Sequence, residues 1–138
     1  MHSLSLFLDE NIAPLGQRLA AHPGAGLILW VGHPNLPSLP LGTNDSNLLK
    51  AVGETGRLFV TRDRHILTRP WERKQIYDAA VRLILITATG NHASWYELIL
   101  RYWQRLSEID ADTSGPCIFR LNRSGVHESR LRRYPIAH

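Results

Sequence analysis

Two apolar segments of the chain end in aspartate, and these carboxylates are its first candidates for chemistry. Residues 4–11 read LSLFLDEN, so an apolar run ends at Asp9, and residues 57–63 read RLFVTRD and end at Asp63. Short apolar runs of this kind predict buried parallel strands. Because open α/β sheets place their sites at the carboxyl edge, we expect Asp9 and Asp63 to lie there together.

A third carboxylate, Asp45, stands at the predicted start of a helix that runs to about Thr55. Either Thr43 or Asn44 can cap this helix. A carboxylate in the first helical turn is favoured by the helix dipole in any case, so a purely local role for Asp45 stays open. If the helix begins at the same sheet edge, Asp45 joins the other two acids.

Three converging carboxylates repel one another unless they are protonated or bridged by a cation. Ligand sets made only of oxygen suit Mg²⁺ or Mn²⁺, which keep several waters and bind substrate phosphates. Such an ion can position and deprotonate water and neutralise the charge that develops on a phosphodiester. We therefore expect Asp9, Asp45 and Asp63 to be the catalytic metal ligands of a nuclease.

Polar residues beside these acids are candidates for supporting roles. In an extended strand Asn11 lies on the same side as Asp9, whereas Glu10 points the other way and ranks lower. Asn11 can equally cap the first helix, and this alternative stays open. Thr61 precedes Asp63 by two residues and faces the same side, so its hydroxyl is expected to support a metal ligand.

The charge of the chain predicts a polyanionic partner. Its formal net charge is +4, and five arginines crowd the last twenty residues: Arg120, Arg123, Arg130, Arg132 and Arg133. Such a basic tail, expected from about residue 122, favours nucleic-acid contact, although a solvated arm or a docking segment would have the same composition. Arg62 and Arg64 flank Asp63 and are candidates for phosphate contact.

The remaining chain alternates strands and helices in a way that would position these acids. Helices are predicted at about 14–21, 44–55, 70–80 and 95–109, and further strands at 27–31, 82–87 and 117–121. This alternation predicts a three-layer α/β/α sandwich with a mostly parallel sheet of about five strands. The first and third strands are expected to be near neighbours.

Two segments are candidates for contact with a partner chain. Residues 94–97 have the form of a capping box and predict one long helix from about Trp95 to Ile109, whose aromatic residues exceed what a single core-facing side needs. Residues 33–42 hold prolines at a spacing of three, which favours an extended run that is either a functional loop or a rigid spacer.

The bulk composition indicates one ordinary soluble domain covering residues 1–138. Cys117 is the only cysteine, so an internal disulfide and a cysteine metal cluster are excluded. The apolar runs are far shorter than the roughly 20 residues that span a bilayer, and no signal segment is visible. We expect a cytoplasmic protein without membrane partners.

Three motifs in sequence order resemble a known family. LFLDEN, NDSNLLK and RLFVTRDRH are similar to the short PIN-like ribonucleases of the VapC type, the toxins of toxin–antitoxin pairs. The resemblance covers the first half of the chain closely and the rest in outline. It implies a PIN-like fold, RNA cleavage that depends on Mg²⁺ or Mn²⁺, and an antitoxin that occupies the site, with a homodimer as a further option.

Carried over by position, Asp9 matches the first acid of this family, Asp45 the helix-start acid and Asp63 the strand-end acid. Related chains commonly carry a further acid two residues after the last of these, where this chain has His65. A histidine can bind Mn²⁺ or contact phosphate but adds less negative charge, which puts a second metal ion in doubt. The candidate RNA-binding residues, Arg62, Arg64, Arg120 and Arg123, are chosen for their positive charge and not from the family motifs.

Two alternatives remain. His65 favours a PIN-like binding module that has lost cleavage. The acids after strands one and three also resemble a phosphoacceptor receiver domain, but that family needs a lysine at the end of its fifth strand, and the only lysines here are Lys50 and Lys74.

Overall fold

The apolar runs of the sequence form one six-stranded sheet. The structure, a computed structural model, describes residues 4–34 and 45–129. The strands are β1 (Leu4–Leu8), β2 (Ala25–Trp30), β3 (Leu58–Thr61), β4 (Arg82–Ile86), β5 (Cys117–Asn122) and β6 (Gly125–Ser129). Their spatial order is β2-β1-β3-β4-β5-β6, and every pair is parallel except β5 and β6.

Helices connect these strands on both faces of the sheet. They are α1 (Ala13–Ala20), α2 (Asp45–Thr55), α3 (Pro70–Asp78), α4 (His92–Arg101) and α5 (Trp103–Asp112). Two short 3₁₀ turns, Glu10–Ile12 and Arg64–Leu67, follow β1 and β3 directly. One core cluster joins the sheet to α1, α4 and α5, and the other joins it to α2 and α3. The predicted α/β/α sandwich is thereby confirmed.

β1 lies between β2 and β3, and its pairing with β3 confirms the prediction that the first and third strands are neighbours. Leu6 pairs with Leu58 and Leu8 with Val60. Leu6, Phe7 and Leu8 are fully buried because helices cover both faces of the sheet. Burying a side chain of this kind contributes about 1.5–3 kcal/mol to the stability of the fold. Burial of β1 therefore fixes the position of Asp9, which follows it directly.

The prediction of a single long helix over Trp95–Ile109 is wrong. α4 ends at Arg101 and α5 begins at Trp103, with Tyr102 between them at φ −106° and ψ 21°. The break lets α4 pack against α1 while α5 contacts β1. The apolar periodicity runs through the break because both helices face the same core cluster.

The predicted capping box also lies elsewhere. Asn91 is the N-cap of α4, its side-chain oxygen accepts the Ser94 N–H at 3.0 Å, and the Ser94 hydroxyl accepts the Asn91 N–H at 2.9 Å. Ser94 is therefore the third residue of the helix and not its cap.

Part of the expected basic tail belongs to the sheet. β5 continues to Asn122, and a tight turn at Arg123–Ser124 leads into β6, where Gly125 has φ 137°. The residues of β6 are few and mostly polar, with His127 and Glu128 exposed. They therefore lack the apolar alternation that predicts a strand. Residues 130–138 and most of the proline-rich segment lie outside the described residues.

Across the described residues, none of the helices combines the length and apolar character required to cross a membrane.

Candidate functional site

Asp9 stands at the point where β1 becomes a 3₁₀ turn. Its main-chain N–H still bonds to the Val60 carbonyl of β3 at 3.0 Å, while its side chain caps the turn by accepting the Glu10 N–H at 2.7 Å. Its other carboxylate oxygen, Oδ2, accepts a hydrogen bond from the Thr61 hydroxyl at 2.9 Å. The carboxylate is therefore held in one orientation at the carboxyl edge of the sheet.

Thr61 connects the two strand-end acids. It is the last residue of β3 and is completely buried. While its hydroxyl donates to Asp9, the same oxygen accepts the Asp63 N–H at 3.1 Å. A single buried hydroxyl thus ties one acid's side chain to the other acid's main chain.

Asp63 caps the second 3₁₀ turn and pairs with an arginine. Its Oδ1 accepts the His65 N–H at 3.0 Å, and its Oδ2 lies 3.3 Å from Nη1 of Arg69. Asp63 keeps 31% of its side-chain surface exposed. A carboxylate offers about four acceptor sites, so these two bonds leave room for a further partner.

Both acids open into one pocket of about 330 Å³, which we call the acidic pocket. The described residues that line it are Asp9, Asn11, Ile12, Arg62, Asp63, His92 and Trp95. The structure therefore brings together Asp9, Asp63, Asn11 and Arg62, four of the residues singled out in the sequence.

The remaining predicted site residues are placed as follows. Asn11 reaches the acidic pocket from the 3₁₀ turn, so the extended-strand argument for its direction is wrong. Glu10 is half-buried in the same turn. His65 has an exposed side chain and is not among the described residues that line the pocket.

The third acid is defined only by its place in the chain. α2 begins at Asp45, and a helix that links two parallel strands of one sheet, as α2 links β2 to β3, must run back from the carboxyl edge. The Asp45 side chain lies outside the described part of the structure. Among the side chains that are described, no group of three His, Cys, Asp or Glu residues is placed to hold a metal ion.

Three arginine side chains beside the acidic pocket donate hydrogen bonds to three consecutive main-chain carbonyls. Arg64 donates to the Thr87 carbonyl at 3.1 Å, Arg62 to Ala88 at 3.2 Å and Arg123 to Thr89 at 3.1 Å. We call these three side chains the arginine edge. Arg120 lies apart from it, exposed on β5 opposite His127.

An aromatic wall closes the other side of the acidic pocket. Trp95 is 7% exposed, and its indole N–H donates to the Ala88 carbonyl at 3.1 Å. The Arg62 guanidinium lies 4.0 Å from the Trp95 ring centroid, so the two side chains form a favourable cation–π contact. The exposed His92 packs edge-on against the same ring at 5.4 Å.

Sequence reasoning missed several of these residues. Trp95 was assigned to the core stripe of a helix, which is correct for most of its surface, and His92 carried no signal because α4 was expected to start later. Arg69 and Glu72 were also overlooked, although their spacing of three on a proline-initiated helix permits an ion pair.

Cys117 is remote from this chemistry. It begins β5, at the opposite edge from the acids, and is 6% exposed. Burial raises the pKa of its thiol, and this effect outweighs the opposing field of Arg82. Its position and its burial both argue against a role for Cys117 in the chemistry of the acids.

The donor chemistry of the acidic pocket fits a hard divalent cation. Asp9 and Asp63 supply carboxylate oxygens and Asn11 an amide oxygen, which are ligand types that Mg²⁺ and Mn²⁺ accept.

Comparison with known proteins identifies the family. A family model described as a PIN-like domain matches residues 4–88, which is more than half of the chain and includes Asp9, Asp45 and Asp63. Comparisons with curated proteins and with solved structures gave no match. By this match over the strands and turns that carry the acids, the chain belongs to the family of PIN-like domains.

Proposed function

We propose that this protein is a metal-dependent endoribonuclease, the toxin of a toxin–antitoxin pair. The observation that carries the proposal is the pairing of Asp9 and Asp63 from adjacent parallel strands, joined through Thr61, in one open pocket. Membership of the PIN-like family supports a nuclease, and the motif resemblance to VapC-type toxins supports RNA as its substrate.

In this proposal Asp9 and Asp63 bind one Mg²⁺ or Mn²⁺ ion, with Asp45 as a third ligand. When bound, the ion would lower the pKa of water and offset the charge that develops on the phosphodiester. The protein's own part is to hold the carboxylates still. Thr61 and the Glu10 N–H fix Asp9 before any ligand arrives, so little reordering is needed on binding.

The arginine edge is proposed to bind the RNA backbone. Arg62, Arg64 and Arg123 are each held by a carbonyl through one guanidinium nitrogen, which leaves other N–H groups free to reach phosphate oxygens. Arg120 is a more distant contact. His92 and Trp95 offer a flat surface beside the acids, of the type on which unpaired bases stack.

Hydrolysis of the phosphodiester adds water across one P–O bond and yields a phosphate monoester and a free hydroxyl. The arginine edge would stabilise the substrate phosphodiester and the doubly charged phosphate monoester of the product alike. Its main contribution would therefore be to RNA binding.

An antitoxin is proposed to inhibit the enzyme by covering the acidic pocket and the arginine edge. Positive charge on that edge would attract an acidic segment. The toxin would then act in the cytoplasm, where its RNA targets and its antitoxin are made. A homodimer remains a second proposed assembly.

The decisive experiment is cleavage of defined single-stranded RNAs by the purified chain. We expect cutting with Mg²⁺ or Mn²⁺, none with EDTA, and a loss of at least 100-fold in Asp9→Asn, which keeps the shape but removes the charge. Asp78→Asn is the matched control, because Asp78 pairs with Lys74 on the exposed side of α3. Cleavage that survives EDTA or Asp9→Asn would contradict the proposal.

A second candidate is a PIN-like module that binds without cutting. Both oxygens of Asp63 already have partners in Arg69 and the His65 N–H, and His65 stands where related chains carry an acid. This candidate predicts Mn²⁺ and RNA binding without cleavage of any RNA tested. Cutting that depends on Asp9 would exclude it.

A further inference from the structure

One arginine joins the acidic pocket to a buried acid on α3. Nη1 of Arg69 lies 3.3 Å from Oδ2 of Asp63 and 2.6 Å from Oε1 of Glu72. The Glu72 side chain is 1% exposed, whereas that of Arg69 is 40% exposed. A single guanidinium nitrogen therefore bridges two carboxylates of very different burial.

The buried carboxylate fixes the arginine. A buried charge is costly unless it is paired, and the short contact to Arg69 supplies such a partner to Glu72. Arg69 is also the N-cap residue of α3, and its main-chain N–H bonds to the His65 carbonyl at 3.1 Å. Main chain and side chain thus both hold Arg69 beside Asp63, and releasing it would give up the pairing with Glu72.

We propose that Arg69, positioned by Glu72, is a built-in counter-cation of the acidic pocket that limits it to one divalent ion. The guanidinium neutralises part of the charge on Asp63 and repels a second cation. Two-metal sites hold their ions about 3.5–4 Å apart and need enough carboxylates to offset both. Here Arg69 places a positive charge beside Asp63, where a second ion would need a further negative charge.

This inference rests on the proposed metal-dependent function and concerns how many ions the site holds. It gives Arg69 and Glu72 opposite effects. Removing the arginine charge exposes Asp63 to cations, so Mn²⁺ should bind more tightly. Neutralising Glu72 leaves the arginine charge to act on Asp63 alone, so Mn²⁺ should bind less tightly.

The test counts Mn²⁺ bound to the full chain, using the electron paramagnetic resonance signal of free Mn²⁺. Wild type should bind one ion. Arg69→Gln should bind Mn²⁺ about three- to tenfold more tightly or gain a second ion, while Glu72→Gln should bind it a few-fold more weakly. Arg69→Lys, which keeps the charge, should behave as wild type, and Lys74→Gln controls for losing one positive charge on the same helix.

If Arg69 and Glu72 only stabilised the fold, both Arg69→Gln and Glu72→Gln would weaken Mn²⁺ binding. Opposite changes in Mn²⁺ affinity therefore distinguish the two explanations. If Glu72→Gln does not fold, the comparison of Arg69→Gln with Arg69→Lys still decides. Unchanged or weaker Mn²⁺ binding by folded Arg69→Gln would overturn this inference but not the proposed metal-dependent function. Absence of Mn²⁺ binding by wild type would instead contradict the proposed metal-dependent function.

Discussion

At the scale of single residues, the candidate site depends on a buried hydroxyl that two acids share. Thr61 has no exposed surface, yet its oxygen both donates to Asp9 and accepts from the Asp63 main chain. Buried polar groups of this kind are costly unless all of their bonds are made. Thr61 is thus both a stability element and the part that fixes the geometry of the acids.

Thr61→Val should therefore destabilise the fold although valine has nearly the same shape. Loss of the two hydrogen bonds should reduce the free energy of unfolding by about 1–3 kcal/mol, as measured by urea denaturation. Thr61→Ser keeps the hydroxyl and should recover part of that loss. Equal stability of Thr61→Val and wild type would show that the hydroxyl does not hold the acids.

Cys117 gives a prediction with a defined dependence on pH. Because burial raises the pKa of its thiol, the reactive thiolate should be scarce in the folded protein at neutral pH. Labelling by a thiol reagent at pH 7 should be slow in the native protein and fast in urea. Above the unfolded thiol's pKa, near 9, the unfolded state loses its proton first, so stability should fall as pH rises further. Rapid labelling of native protein would contradict this account.

The sequence predicted where Asp9 and Asp63 lie better than it predicted their surroundings. Asp9 and Asp63 end apolar runs, and the carboxyl edge of a parallel sheet brings such ends together. The spacing of Arg69 and Glu72 permits an ion pair, but the burial of Glu72 could not be foreseen, because a glutamate in the first turn of a helix is normally solvated. Asn11 was placed by the wrong argument, since the chain leaves the extended conformation after Asp9, where the 3₁₀ turn begins at Glu10.

At the scale of elements, α4 delivers His92 and Trp95 to the acidic pocket, and its start is fixed by a capping box. The reciprocal bonds between Asn91 and Ser94 satisfy main-chain groups that have no partner within the helix. The start of α4 therefore controls where the aromatic wall stands.

Asn91→Ala should cost about 1 kcal/mol of stability, because it removes the acceptor for the Ser94 N–H. Asn91→Asp retains an acceptor oxygen at the helix N-terminus and should be close to wild type. Thermal unfolding followed by circular dichroism measures both. Equal destabilisation by the two substitutions would argue against the cap as the cause.

Periodicity predicted the elements but not their interruptions. The apolar stripe of residues 95–109 continues across Tyr102, so only tertiary packing reveals that α4 and α5 are separate. The Tyr102 hydroxyl donates to the Arg123 carbonyl at 2.9 Å, which ties the break to the turn before β6. The break leaves no local signal because contacts distant in sequence set it, whereas β6 pairs with β5 through a tight hairpin and is missed because its residues are few and mostly polar.

The surplus aromatic surface of that segment is largely used within the chain. Tyr96, Tyr102 and Trp103 pack partly buried against the core cluster of α1, and His22 lies 4.7 Å from Trp103. Contact with an antitoxin or a second copy remains a prediction, but this segment now offers it less support. In the described residues, the exposed large apolar side chains are Leu27, Trp71 and Tyr77.

At the scale of the whole molecule, the sheet places one acidic pocket and one arginine edge side by side. The strand order alone does not separate a PIN-like domain from a receiver domain, since both have β1 between β2 and β3. The family match separates them, and Lys50 and Lys74 do not line the acidic pocket among the described residues.

The arginine edge should contribute to RNA binding through charge. Arg64→Gln and Arg123→Gln should each weaken binding of a labelled single-stranded RNA in EDTA and lower the slope of log affinity against log salt by about 0.7. Arg105→Gln is the matched control, because Arg105 is exposed on α5 and pairs with Glu108. Fluorescence anisotropy across a salt series measures the slope. Equal slopes in all three variants would remove the arginine edge from the RNA-binding surface.

The most direct test of the central claim is the position of Mn²⁺ in an anomalous difference map from crystals grown with that ion. The account predicts a single strong peak within coordination distance of carboxylate oxygens of Asp9 and Asp63. A map with no peak between these acids, or with Mn²⁺ only at unrelated carboxylates such as Asp78, would contradict it.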